Sequence, residues 1–125
     1  MRRTSLMLFA SGCLACLAGT VAAVEPSDFG IPALQRATER YVAGDPAAAR
    51  RNVVEAMGVL SSLAESMGAP GRGEVWMLVN DLRLLRLPAG NADPATLHSL
   101  ADAETRATAL AARYPDGSGA PARLQ

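Results

Sequence analysis

Apolar residues recur at alternating spacings of three and four along residues 45–67, as in Val53, Met57 and Leu60. This spacing places the apolar side chains on one face of an α-helix. No neighbouring stretch has the two-residue alternation of a half-buried strand, so we expect other helices to cover this face. The rest of the domain is organised around this long helix.

The start of the long helix has a clear local cause. Asp45 is a favourable N-cap, because its carboxylate can accept hydrogen bonds from the free amides of the first turn. Pro46 suits the first helical position, where a missing N–H costs nothing. Asp93 and Pro94 repeat this pair later in the chain. We expect Gly68 to be the C′ glycine that ends the helix.

Three further segments show helical spacing, at residues 32–43, 74–87 and 94–114. Short connections rich in Gly and Pro separate them, which favours antiparallel neighbours. The predicted fold class is all-α, with four helices arranged as two antiparallel hairpins. Either a helical bundle or a tetratricopeptide-like stack is compatible with this pattern.

The first 23 residues have the three parts of a secretory signal peptide. Arg2 and Arg3 are positively charged, residues 6–18 are mostly apolar, and Val21, Ala22 and Ala23 provide small residues for a peptidase. We expect cleavage after Ala23 and a periplasmic or secreted protein, with no stable membrane anchor. The expected organisation is a signal peptide at 1–23, a four-helix domain at 24–117 and a flexible tail at 118–125.

Both cysteines, Cys13 and Cys16, lie in the predicted signal peptide. Cleavage would therefore leave no cysteine for disulfides or thiolate chemistry. The run from Ala10 to Cys13 resembles a bacterial lipobox, so lipidation of Cys13 is an alternative.

Composition and charge narrow the function classes. Apolar residues make up 50% of the chain and aromatic residues 4%, which favours closely packed helices over a β-sandwich. Cleavage would remove Arg2 and Arg3 and no acid, leaving ten arginines against twelve acids. This balance gives no whole-molecule reason to expect binding to nucleic acid.

The run containing Ala37, Gly44-Asp45, Ala49 and Ala56 resembles a tetratricopeptide hairpin, with small residues in both helices and a Gly-Asp turn. Tyr114-Pro115 is similar to the end of such a repeat. The same pattern of residues is similar to that of small secreted helical-bundle proteins of the YfdX type. The tetratricopeptide resemblance implies binding of a protein or peptide in a groove, without catalysis.

Four arginines form the candidate partner-binding surface. Arg36 and Arg40 are one turn apart on the first helix, and Arg50 and Arg51 lie near the start of the second, where the helix dipole disfavours cations. Folding the second helix back onto the first brings these ends together. The four side chains would contact an acidic segment of a partner; the alternative is an ordinary solvated arginine face.

A ligand pocket is the second possibility. Trp76, Met57, Met77 and the only histidine, His98, could surround a cofactor or an apolar ligand. Core packing is the more usual role of such methionines. No cluster of His, Cys or acidic residues has metal-ligand spacing, and no nucleophile motif is present, so we expect no enzyme activity, no metal and no cofactor.

The sequence thus predicts an exported, non-enzymatic helical module that binds a protein or peptide partner, as an accessory or stress-related factor. The alternative is a periplasmic carrier of a cofactor or apolar ligand held between helices. The partner's identity and the oligomeric state are left open by the sequence.

Overall fold

A computed structural model of the chain describes residues 28–117. The predicted signal peptide, its cleavage site, both cysteines and the predicted C-terminal tail lie outside these residues. The described part contains α1 (Ile31–Val42), α2 (Pro46–Ser66), α3 (Gly71–Arg83) and α4 (Pro94–Arg113), and it has no strand. The all-α prediction with four helices is confirmed.

The helices contact one another in a closed ring. α2 packs against α1 and α3, while α4 packs against the same two helices from the other side. Within the described residues, no Cα atom of α1 lies within 8 Å of one in α3, and none of α2 lies within 8 Å of one in α4. This pattern is compatible with a four-helix bundle whose apolar stripes meet at a common centre.

Among residues 28–117, the core is built mainly from aliphatic side chains and alanines, with three buried aromatic residues. Leu60 of α2 is fully buried and Leu82 of α3 is 2% exposed, so both predicted stripe centres face the interior. Small residues such as Ala37, Ala56 and Ala107 are also fully buried, which lets the helix backbones approach closely.

Three residues, Ala43, Gly44 and Asp45, join α1 to α2. The Asp45 residue makes two of the contacts at this turn. Its backbone N–H donates to the Arg40 carbonyl oxygen at 2.9 Å, while the N–H of Gly44 donates to Tyr41. Gly44 has a φ of +88°, so the two bonds complete a Schellman motif that a residue with a side chain would strain. The Asp45 carboxylate then accepts from the N–H of Ala48 at 3.0 Å and caps α2 as predicted.

The end of α2 differs from the prediction. Met67 leaves the helix in an extended conformation, and Gly68 does not have the positive φ of an αL cap. The guanidinium of Arg72 donates to the carbonyl oxygens of Ala64 and Met67 at 3.1 and 2.9 Å. A side chain from the next helix thus satisfies carbonyls that a left-handed glycine was expected to satisfy.

The predicted bounds of α3 were wrong at both ends. The helix begins at Gly71, because backbone bonds from Arg72 to Gly68 and from Glu74 to Pro70 extend it backwards. It ends at Arg83 rather than residue 87. Residues 85 and 87 are half-buried after the helix has ended, so the chain turns to pack them on the core. Their apolar character had suggested one more helical turn.

Candidate functional site

The four predicted arginines are divided by the fold. Arg36 of α1 forms an ion pair with Glu55 of α2 at 2.8 Å, and both side chains are about half exposed. The hydrogen bond from Arg36 lowers the pKa of the Glu55 carboxyl below its ordinary value, and a contact from Asn52 acts in the same direction. Arg36 therefore helps to join α1 to α2 and is only partly available to a partner.

Arg40 and Arg51 are the available members of the set. Both are exposed, and neither side chain makes a hydrogen bond or an ion pair within residues 28–117. Arg51 lies one helical turn before Glu55 on α2, and Arg40 lies one turn after Arg36 on α1. Both therefore lie between the Arg36–Glu55 pair and the turn that joins α1 to α2.

Arg50 has a structural role. Its side chain is half-buried, and its guanidinium donates a short hydrogen bond to the carbonyl oxygen of Leu85. Leu85 lies just beyond the end of α3, so this bond fixes the start of α2 beside the α3–α4 connection. The side chain points toward α3 rather than toward Arg36, so Arg50 is separated from the other three predicted residues.

Two arginines that the sequence argument did not select lie at the same end of the molecule. Arg83 ends α3 and donates to the Asn80 side chain at 2.8 Å. Arg86 follows it and is exposed without a side-chain partner in the described part of the chain. Together with Arg40, Arg50 and Arg51, these two residues form a surface that we call the arginine end.

Three contacts gather the four helix termini at this end. Arg50 reaches Leu85, the hydroxyl of Tyr41 accepts from the backbone N–H of Asp93 at 2.9 Å, and the Thr96 hydroxyl is 3.2 Å from the Arg86 carbonyl oxygen. The first contact joins α2 to the residues after α3, and the second joins α1 to α4. These long-range contacts leave no periodic signal in the sequence, which is why Arg83 and Arg86 were missed.

An open groove of about 580 Å³ separates α3 from α4. Its apolar side includes the buried Leu78 and Leu82 and the residue after the helix, Leu84, which is 75% exposed. At one end of the groove, Arg106 of α4 donates to Asp81 of α3 at 2.6 Å. We refer to this depression as the α3–α4 groove.

The groove continues beyond Arg106 as a smaller depression of about 240 Å³. Met77, which is 63% exposed, lines it together with Leu110. Glu74 and Arg113 form a second ion pair across the two helices here, at 2.9 Å. Two ion pairs therefore hold α3 to α4 while apolar surface stays accessible between them.

The predicted ligand-pocket residues do not converge on one site. Met77 and His98 are both exposed and line different sections of the α3–α4 region. Met57 and Trp76 are half-buried and pack against the core from α2 and α3. Neither of the latter two lines the groove.

Tyr114 is the most unusual polar group of the core. The side chain is fully buried, and its hydroxyl has no hydrogen-bond partner among the described residues. Burial raises the pKa of this phenol, and the nearby Glu74 carboxylate, which is bonded to Arg113, acts in the same direction. A neutral, enclosed phenol at this position is a packing element.

The described residues contain no group of three or more His, Cys, Asp or Glu side chains that could hold a metal ion. None of the four helices in residues 28–117 is long and apolar enough to cross a membrane.

No protein-family model matches the chain, and neither a curated protein nor a solved structure shows significant similarity to it. The resemblances to a tetratricopeptide hairpin and to YfdX-type proteins therefore stay predictions.

Proposed function

We propose that this chain is an exported, non-enzymatic helical module that binds a protein or peptide partner through the arginine end. The observation that carries the proposal is the exposure of Arg40 and Arg51 without any compensating partner in the described residues. An acidic segment of another protein would supply the missing carboxylates, and guanidinium–carboxylate pairs are both directional and strong.

The proposal includes the route and the arrangement expected from the sequence. The signal peptide is removed after Ala23, and the mature protein begins at Val24 in the periplasm or outside the cell. Its helices form two antiparallel hairpins, and the protein acts as an accessory or stress-related factor. The intact mass of protein recovered from the exported fraction tests the first step. A retained leader or a lipid mass on Cys13 would contradict it.

The binding step is tested by affinity capture from the native exported fraction, followed by mass spectrometry. Because Arg50 is hydrogen-bonded to the carbonyl oxygen of Leu85, the test variant leaves Arg50 unchanged. It carries only the substitutions Arg40→Gln and Arg51→Gln. We expect the double variant to keep its helical circular dichroism spectrum and to lose partners that the unmodified protein captures.

A matched control keeps the positive charge at both positions, with Arg40→Lys and Arg51→Lys. Capture should persist in this control. If the Arg40/Arg51 variant retains every captured protein, the arginines are an ordinary solvated surface and the proposal is wrong.

The second candidate is a carrier of a cofactor or an apolar ligand, and the accessible apolar surface of the α3–α4 groove is what favours it. An absorbance spectrum of the purified mature protein separates the two functions. A Soret band or a co-purified chromophore would support the carrier function.

A further inference from the structure

Leu84 is the most exposed large apolar residue in the described part of the protein, at 75%. It lies at the C-cap of α3, where the α3–α4 groove opens, between Arg83 and Arg86 in sequence. A large aliphatic side chain left in water between two arginines is costly, since burying it would gain hydrophobic free energy. Other residues of the same chain segment, Leu85 and Leu87, pack against the core instead.

The Arg50–Leu85 hydrogen bond places this apolar residue beside the candidate binding surface. The bond connects the residue before Arg51 with the residue after Leu84, so the start of α2 lies next to the mouth of the groove. The arginine end and the groove mouth are consequently neighbours, although 33 positions separate Arg51 from Leu84 in the sequence.

The charges around the mouth are predominantly positive. Asp45 and Asp93 direct their carboxylates to the N-termini of α2 and α4. Within the groove, Asp81 and Asp102 both face Arg106, at 2.6 and 3.8 Å.

Of the other acids described near the arginine end, Glu55 is paired with Arg36 and Glu39 on α1 is exposed. The guanidinium groups of Arg40, Arg51 and Arg86 have no carboxylate partner among the described residues. An excess of uncompensated positive charge thus surrounds one exposed leucine and an open groove.

We propose that the partner segment is an acidic peptide that carries large apolar side chains, one of which packs against Leu84 in the α3–α4 groove. Its carboxylates pair with Arg86 and with Arg40 or Arg51. This inference rests on the proposed function and specifies the chemistry of its partner. A purely anionic ligand would use the arginines and leave Leu84 in water, whereas an acidic and apolar segment satisfies both.

The groove also favours a peptide over an anionic lipid surface. Leu84 lines a depression between two helices, together with Leu78 and Leu82. A groove between helices accommodates a chain with side chains at intervals, which is a recurrent mode of peptide recognition.

Fluorescence anisotropy with labelled synthetic peptides tests this inference. One peptide repeats Glu-Glu-Leu, a second repeats Glu-Glu-Ser with the same charge, and a third repeats Arg-Arg-Leu. We expect the Glu-Glu-Leu peptide to bind most tightly and the Arg-Arg-Leu peptide not to bind. Raising the salt concentration should weaken the acidic peptides, because exposed charges are screened.

The deciding variant is Leu84→Ser, which removes an exposed side chain and should leave the fold unchanged. It should weaken binding of the Glu-Glu-Leu peptide about tenfold and leave binding of the Glu-Glu-Ser peptide unchanged. The matched control is Val54→Ser on α2, an apolar residue that is 56% exposed and does not line the groove. Arg86→Gln should weaken both acidic peptides.

Three outcomes would overturn the inference. They are equal binding of the Glu-Glu-Leu and Glu-Glu-Ser peptides, unchanged binding after Leu84→Ser, and preference for anionic phospholipid vesicles over the peptides. Native capture distinguishes this failure from failure of the proposed function. If captured partners depend on Arg40 and Arg51 but not on Leu84, partner binding stands and the apolar contact is wrong.

Discussion

The phenol oxygen of Tyr41 accepts a hydrogen bond from the backbone N–H of Asp93 at 2.9 Å, which ties the end of α1 to the cap of α4. Fifty-two positions separate the two residues, and the Tyr41 side chain is 2% exposed. The bond fixes Asp93, whose carboxylate then caps α4 through the N–H of Thr96 at 3.0 Å. One buried hydroxyl therefore positions the first turn of the helix that forms one wall of the groove.

The two buried tyrosines should respond differently to loss of the hydroxyl. Tyr41→Phe leaves the N–H of Asp93 without its partner and should lower the free energy of unfolding by about 1 kcal/mol. Tyr114→Phe removes a hydroxyl that has no partner in the described residues, so its effect should be near zero or slightly stabilising. Urea denaturation of both variants measures the difference. Equal losses would indicate that Tyr114 is bonded in solution.

Two glycines offer a second matched comparison. Gly58 lies inside α2 with open space around it, so Gly58→Ala should stabilise the protein by about 0.5–1 kcal/mol. Gly30 has a φ of +75°, and a Cβ there would lie 3.2 Å from the Ala56 carbonyl oxygen. Gly30→Ala should therefore destabilise the protein. A gain in melting temperature from Gly30→Ala would contradict the close approach of this turn to α2.

Arg72 should contribute to stability even though its side chain is largely exposed. Arg72→Gln removes the charged hydrogen bonds to the carbonyl oxygens of Ala64 and Met67 and should cost about 1–2 kcal/mol in chemical denaturation. Arg51→Gln is the control, since Arg51 has no partner in the described part, and it should change stability by less than about 0.5 kcal/mol. Equal effects of the two substitutions would show that the Arg72 hydrogen bonds at the end of α2 contribute nothing to stability.

The leucines of α2 and α3 test the packing. Leu60→Ala and Leu82→Ala remove buried side chains and should each cost about 2–5 kcal/mol through lost transfer free energy and a residual cavity. Leu84→Ala should cost little, because Leu84 is exposed. Thermal unfolding of the three variants checks the phase of each helix. An unchanged melting temperature for Leu60→Ala would refute the assigned phase of α2.

The Arg36–Glu55 pair predicts a dependence of stability on pH. The pKa of Glu55 is lowered in the folded protein, so the unfolded chain binds its proton more readily. The stabilisation is complete above the ordinary glutamate pKa of about 4.3 and is lost as the pH falls through the lower folded value. In the Arg36→Gln variant, the free energy of unfolding should fall less as the pH is lowered. Arg83→Gln should leave this dependence unchanged, because the side-chain partner of Arg83 is Asn80. Identical acid profiles for Arg36→Gln and the unmodified protein would count against the pair.

Much of the fold follows from local rules. The Asp-Pro pairs at Asp45 and Asp93 predicted the starts of α2 and α4 to the residue, because capping needs only the groups of one helical turn. Gly44 ended α1 for a similarly local reason. These features are decided by a few neighbouring atoms, so sequence spacing is sufficient to find them.

The arrangement of the candidate site could not be predicted in this way. The sequence indicated that Arg50 and Arg51 lie near the start of α2, but only packing brings Arg50 to Leu85 and leaves Arg51 in solvent. The early end of α3 likewise depends on how residues 85 and 87 reach the core. Leu and Arg are good helix formers, so local propensity favours a helix here, and tertiary burial overrides it.

The sequence by itself determined that the described chain is helical, where α2 and α4 begin, and which apolar stripes are buried. Tertiary structure decided which arginines remain unpaired, that Leu84 is exposed, and that the Tyr41 hydroxyl contacts the backbone of Asp93. The physical reason is the range of the interactions. Caps and stripes are set within one or two helical turns, whereas ion pairs, end-to-end hydrogen bonds and grooves arise only when distant segments meet.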